Sequence, residues 1–263
     1  MTSSPWLLLA VGATGASAAM LALWLLAVRI GNASHVDVGW AYGIAAAAVL
    51  YALLGDGSAT HRALAAGLGT IWGVRLGTYL LGRVVGAEED GRYRELRRRW
   101  GAGASRRFLV FFQAQALLVA VFSLPFALVA VDGGAASPLL WAGAAVALLA
   151  VAGETTADAQ LAAWRARPAN RGKTARSGLW GLSRHPNYFF EWLHWVGWAL
   201  AALGSPTGWA ALAVPALLLV LLFRVTGIPA GEEQALRSRG DDYRRYQQEV
   251  SVFVPWFPKR GAP

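Results

Sequence analysis

The chain has no cysteine and few charges. Without Cys there are no disulfides, no thiolate nucleophile and no Cys-type metal site, and the redox compartment stays undecided. Charged residues make up 15% of the 263 positions, against about 25% in ordinary soluble domains. Also missing are a phosphate-cradling P-loop and a G-x-G-x-x-G turn after a strand, as are a serine elbow and a zinc signature. A nucleotide, if one binds, has to sit between helices and loops. No internal repeat and no linker divides the sequence, so residues 1–263 read as a single integral membrane domain. The first apolar run lacks the basic head and small-residue cleavage site of a secretory signal, so it reads as a retained helix.

What is present is hydrocarbon. The sequence is 56% hydrophobic, with a mean hydropathy of +0.41. Apolar runs recur near the ~20 residues that a bilayer crossing requires. Seven spans are predicted, at 5–28, 37–54, 62–84, 107–131, 137–163, 188–204 and 207–228. The fold class that follows is all-α: a polytopic seven-transmembrane-helix bundle whose cytoplasmic loops cap a central cavity.

Net charge is +9, with a pI near 10.6. In a membrane protein this excess reads as loop bias and not as nucleic-acid binding. The bases follow the third span (Arg92, Arg94, Arg97, Arg98, Arg99, Arg106, Arg107), the fifth (Arg165, Arg167, Arg171, Lys173, Arg176, Arg184) and the tail (Arg237, Arg239, Arg244, Arg245, Lys259, Arg260). The alternate connections, 55–61, 132–136 and 204–206, carry no Lys or Arg. The positive-inside rule then sets the amino terminus outside and the carboxyl terminus in the cytoplasm.

Chemistry-bearing residues gather at the basic side. Glu154 and Asp158 are spaced i, i+4 on one helix face, with Gln160, Trp164 and Arg165 beyond them. They form either an ion-pair knot with loop arginines or part of a ligand site. Arg171-Gly172-Lys173 is a flexible basic segment suited to phosphates or to loose contact with anionic lipid. Arg184-His185-Pro186-Asn187-Tyr188 opens a helix, with Pro suited to its first turn and free N–H groups suited to an anion. Glu191 follows one turn later; His194, among Trp192, Trp195 and Trp198, reads as an interfacial or packed histidine.

Tyr243, Tyr246, Val250 and Phe253 recur at helical spacing. That helix either lies on the membrane surface or closes the cavity. Asp37 opens the second span as a helix cap or as a general acid with a raised pKa. On the third span, Arg75 should face the bundle or a cavity, and Arg83 reads as snorkelling at the edge.

In their order these features resemble the steroid 5-alpha-reductase superfamily, especially its bacterial membrane branch. The matching pieces are Trp72-Gly73-Val74-Arg75-Leu76, Asp90-Gly91-Arg92-Tyr93, Glu154, Asp158-Ala159-Gln160, Gly178-Leu179-Trp180, Ser183 to Tyr188, Glu191 and Tyr243-Arg244-Arg245-Tyr246 with Phe253 and Pro255. The resemblance implies a seven-helix cavity, NADPH held by the carboxyl-terminal half (about 137–263), and a lipophilic enone entering beside the second and third spans, among the substrate-side helices of about 1–131. It implies cofactor contacts from Arg83, Arg92, Tyr93, Glu154, Asp158, Arg165, Lys173, Arg184, His185, Asn187, Tyr188, Glu191, Tyr243 and Tyr246. The Gln-Glu pair of steroid reductases falls at Val36-Asp37 here, and their catalytic tyrosine falls at Trp72. The expected catalytic residues are therefore Asp37 and Tyr79, with no metal.

The expected partners are the substrate and membrane lipids, for a monomer. The alternative is an S-adenosylmethionine-dependent membrane methyltransferase of the isoprenylcysteine or phospholipid type. Arg184-His185-Pro186-Asn187-Tyr188 and Glu232-Glu233 fit that pattern too. A third class, a transporter or lipid-binding scaffold, lacks the broken, repeated helices many transporters use.

Overall fold

The computed structural model describes residues 4–225 and 227–259, and shows helices joined by short connections. Among the described residues the sole β feature is a parallel bridge between Ser183 and Ser251. Six helical stretches are long and apolar enough to cross a membrane, so this is an integral membrane protein. Contacts divide the chain into two compact units, residues 1–141 with 201–211, and residues 142–200 with 212–263.

The first unit contains α1 (Pro5–Ile30), α2 (His35–Leu54), α3 (Ala59–Val84), α4 (Gly91–Trp100) and α5 (Ala104–Ala130). Helix α1 ends at Gly31, whose φ of 69° is the left-handed cap that glycine adopts without Cβ strain. Small residues let α2 and α3 approach closely, as in other membrane helix pairs. A Cβ on Gly73 would stand 2.8 Å from the Ala41 carbonyl oxygen, and one on Gly69 would stand 2.6 Å from the Ala48 methyl. Aromatics fill the remaining core. Trp72, Tyr51, Phe112, Phe122 and Phe126 are fully buried, and Trp40 meets both Trp72 and Phe122 edge-on. Buried Tyr51 satisfies its hydroxyl on Ser123 at 3.0 Å.

The second unit takes in most of α6 (Pro138–Arg165) and α7 (Pro186–Ala202), with α8 (Ala213–Val220), α9 (Ile228–Arg239) and α10 (Asp241–Glu249). Close approach recurs here: a Cβ on Gly197 would meet Ala147 N at 2.7 Å and Gly143 O at 2.8 Å. His194 is fully buried, accepts from Trp198 Nε1 at 3.1 Å and sits 3.3 Å from Ala147 O. It is the packed histidine expected.

Three segments differ from the sequence expectation. The run 188–204 forms α7, whose 17 residues lie at the lower limit for a crossing; it is not among the six spans. The run 207–228 is no single α-helix. It passes from a 3-10 turn (Gly208–Leu212) through α8 to a π turn (Leu221–Val225); Thr226 and Arg260 lie outside the described residues. In the tail, helix spacing ends at Glu249, since Val250 is extended (φ −113°, ψ 138°) and residues 252–254 bend away; Gly240 (φ 52°) separates α9 from α10. Phe253 is thus past the helix. Tyr243, Tyr246 and Val250 pack with Ala235 and Leu236 of α9, so this face is spent on protein packing, not on lipid.

Candidate functional site

Two polar clusters stand out, one in each unit. The first is built by two loops hooked together. Ala33 N–H donates to Glu89 Oε1 at 2.8 Å, and Asp90 N–H donates to Ser34 Oγ at 2.8 Å. Glu89 is also held by Arg97 at 2.7 Å. Burial pushes the Glu89 carboxyl up, but the bonds from Arg97 and Ala33 outweigh it and hold it below its usual range. Asp90 caps α4 by accepting from Arg92 N at 2.9 Å. Burial raises this carboxyl, and its bonds to Arg92 bring it below normal on balance.

These hooks place α4 beside the start of α2. Asp37 sits in the first turn of α2 but caps nothing. It accepts from Tyr93 Oη at 2.7 Å and from Arg92 Nη2 at 3.1 Å. Tyr93 is 3% exposed and meets Phe108 and Phe111 edge-on, so packing fixes its hydroxyl. Ser34, Asp37, Leu80, Arg83, Val84 and Arg92 line a half-open recess here, about 430 Å³ counting its mouth. Arg83, on the last turn of α3, lies over the Tyr79 ring at 5.9 Å. Of the two expected catalytic residues, then, Asp37 faces the recess; Tyr79 stands beside Arg83 and outside the lining. Trp72 is wholly buried.

The second cluster surrounds the start of α7. Glu154 and Asp158 are 5% and 8% exposed on α6. Asn187 Nδ2 lies 3.4 Å from Asp158 Oδ1, and Trp195 Nε1 donates to Glu191 Oε1 at 3.0 Å. Tyr188 stacks flat under His185 at 5.4 Å. Gln160 accepts Leu179 N–H at 2.9 Å, while Trp180 Nε1 donates to Ala157 O at 2.8 Å. These bonds pin the Gly178–Gly181 turn to α6. Arg165 and Lys173 are exposed.

The arginine of this block has a different environment from the one a phosphate would give it. Arg184 Nε donates to Glu232 Oε1 at 2.6 Å, and its Nη1 donates to Gln247 O at 2.9 Å and Val250 O at 2.8 Å. His185 Nε2 is 3.4 Å from the same Glu232 oxygen. Gln247 holds the other oxygen at 2.9 Å. Tyr246 donates to the carbonyls of Trp180 and Ser183. Ser183 Oγ donates to Phe253 O at 2.7 Å, and Trp256 N–H donates to Leu182 O at 2.9 Å. Burial pushes the Tyr246 phenol up. Burial, with the Glu232 charge, pushes the Tyr243 phenol to about 12. Both hydroxyls therefore stay protonated and remain donors at neutral pH.

Sequence reasoning missed several members of these clusters. Glu89, Arg176, Asp242, Glu249 and Gln247 carry bonds as short as those of the named residues. The i, i+3 and i, i+4 pairs of Glu95 with Arg98 and Arg99 were visible in the spacing. The longer-range pairs had no local signal. Among the described residues no group of three or more His, Cys, Asp or Glu is placed to hold a metal ion.

Residues 23–250 match the family model described as "Protein of unknown function (DUF1295)", and the chain belongs to that family. No curated protein and no solved structure matches it.

Proposed function

We propose that the protein is a membrane reductase that uses NADPH to reduce a carbonyl-conjugated C=C bond in a lipophilic substrate. The observation that carries this reading is Asp37, held by a buried phenol at 2.7 Å and an arginine at 3.1 Å on the wall of an open recess. A substrate carbonyl oxygen entering there would meet the Asp37 carboxyl, able to donate when protonated, beside the Arg92 guanidinium, while Tyr93 spends its one proton on fixing that carboxyl in place. Charge developing on that oxygen would be stabilised by fixed groups that need no reorganisation. The DUF1295 family is linked to the steroid 5-alpha-reductase superfamily, which supports the choice of reaction.

The residues of the second unit fit a dinucleotide in their chemistry. Asp158 beside Asn187 offers carboxylate and amide groups to a carboxamide edge. Exposed Arg165 and Lys173 offer phosphate contacts. Arg184 serves by holding the 182–184 segment in place, because its own donors are committed. Bound NADPH would supply a hydride for the β carbon of the enone. The chain's part is to orient the substrate, polarise its oxygen through Asp37 and exclude water. We count α7 as the seventh span, and place the amino terminus outside and the carboxyl terminus in the cytoplasm on the distribution of bases.

One observation favours a second reading. Arg184 and His185 converge on Glu232, the pairing expected of an Arg-His-Pro-x-Tyr block and a Glu-Glu pair in a membrane methyltransferase. Thermal unfolding of the detergent-purified protein separates the two. NADPH should raise the midpoint, since a ligand that binds only the folded state stabilises it, and Asn187→Ala with Glu191→Ala should abolish the rise. A rise with S-adenosylmethionine and none with NADPH would overturn the reductase.

A further inference from the structure

The last described segment of the second unit turns large apolar side chains outward. Val254 is 52% exposed, Trp256 70% and Phe257 81%, and the Trp256 and Phe257 rings meet edge-on at 6.5 Å. The backbone that carries them is held. Ser183 Oγ donates to Phe253 O at 2.7 Å. Trp256 N–H donates to Leu182 O, and Lys259 N–H to Glu249 O, both at 2.9 Å. Pro255 and Pro258 bracket the aromatic pair and fix φ on either side of it. A braced strap thus presents two bare rings.

Phe253 shows what lies beside this strap. Its ring meets Phe189 at 5.7 Å, Trp192 at 5.9 Å and Phe223 at 5.3 Å. Phe223 belongs to Gly208–Arg239, one of the six stretches long and apolar enough to cross a membrane. Val220, one turn before it, is 54% exposed, so this stretch has an outward apolar face next to the strap. Charge begins at the same level. Arg224 follows Phe223, and Arg184 stands just ahead of α7, whose first turn carries Phe189. Aromatic side chains, Trp above all, gather where hydrocarbon gives way to polar headgroups. The backbone suits that level too, because unpaired N–H groups are costly near lipid. The two prolines have none, and those of Trp256 and Lys259 are bonded.

We propose that Val254, Trp256 and Phe257 form an interfacial anchor that inserts into the headgroup–acyl boundary of the bilayer the chain spans. What covers this patch is lipid. The bond from Trp256 N–H to Leu182 O ties the anchor to the segment that leads into α7. The anchor therefore sets the depth at which α7, only 17 residues long, begins. The proposal is independent of the reductase reading, because it invokes none of the residues assigned to nucleotide or substrate.

The chain has no cysteine, so single-site spin labelling tests this directly. Trp256→Cys and Phe257→Cys, each carrying a nitroxide, are placed in phosphatidylcholine nanodiscs as the full chain. Val220→Cys serves as the lipid reference, and Arg245→Cys, exposed on α10, as the water reference. Power saturation then reads collisions with oxygen, which concentrates in hydrocarbon, and with a nickel chelate, which stays in water. The oxygen-to-nickel ratio at 256 and 257 should lie closer to that at 220 than to that at 245. A ratio closer to that at 245 would overturn the anchor. So would a label shielded from both reagents, or one broadened by the label of a second copy, since either marks protein contact in place of lipid. Phe257 is the more exposed of the two, so Phe257→Cys decides the matter should Trp256→Cys fail to fold.

Discussion

The two polar clusters use the same ingredients, arginine, tyrosine and carboxylate, in opposite ways. Around Asp37, side chains bond to side chains, and one face is left to a recess; Asp37 is 27% exposed and Arg92 62%. Around Arg184, side chains bond mainly to backbone carbonyls, and the pair is closed, with Arg184 11% and Glu232 17% exposed. The difference follows from the local chain. Helices α2 and α4 satisfy their own backbones, so their polar side chains remain for other work. The stretches 178–185 and 250–256 are irregular, and their carbonyls need partners. Arg184, Tyr246 and Ser183 are those partners. Polar residues clustered at helix starts are therefore of two kinds here: those that face a recess and those that hold irregular backbone together.

That contrast breaks most readily at Arg184. Arg184→Ala removes three hydrogen bonds and leaves Glu232 a largely buried charge without its main partner. The expected loss is about 3 kcal/mol or more, read as a lowered unfolding midpoint in detergent; an unchanged midpoint would show that the closed cluster is not a clasp. Asp37→Asn should do the reverse. Its unfolding midpoint should stay close to wild type and NADPH-induced stabilisation should persist, while enone reduction falls by about 10²-fold. Full turnover in that variant removes Asp37 as the acid.

A smaller effect is expected at Tyr246→Phe, which strips two backbone carbonyls of their donor at a cost of about 1–3 kcal/mol. Hydrogen exchange should report it as faster opening of the 180–184 segment, with α2 and α4 unaffected. The smallest effect is acid sensitivity of the tail. Thr174 and Arg176 hold the Asp242 carboxyl below its ordinary value. Its stabilising contribution is complete above the unfolded value of about 3.8. It is lost as pH falls through the lower folded value. Protease access to α10 should therefore rise below about pH 4, and Asp242→Asn should show that access already at neutral pH. Equal acid sensitivity in the two proteins would remove Asp242 as the cause.

Much of the scaffold was legible because apolar length and basic loops are local signals. The runs 5–28, 37–54 and 62–84 became α1, α2 and α3 with ends shifted by a few residues. Helix α4 was not foreseen, since Gly91–Trp100 reads as a charge run until Glu88, Glu89 and Glu95 are seen to neutralise it. Asp37 was legible as either a cap or an acid; only Tyr93, 56 residues away in sequence, separates the two. Arg184 was legible as a cation at a helix start, the usual mark of an anion site. Its true neighbours come from the tail, and no spacing rule reaches that far. Residue type and apolar helix length were thus readable, while partnership across long sequence separations was not.

The 48-residue separation of Arg184 and Glu232 also sets an order of events in the making of the protein. When Arg184 first leaves the ribosome, Glu232, Gln247 and Val250 have not yet emerged from it. Arg184 is then a hydrated cation at the start of α7. Once the tail emerges, the same guanidinium is neutralised and becomes a fastener. A single residue thereby passes from an open charge on the nascent chain to a seal on the finished one.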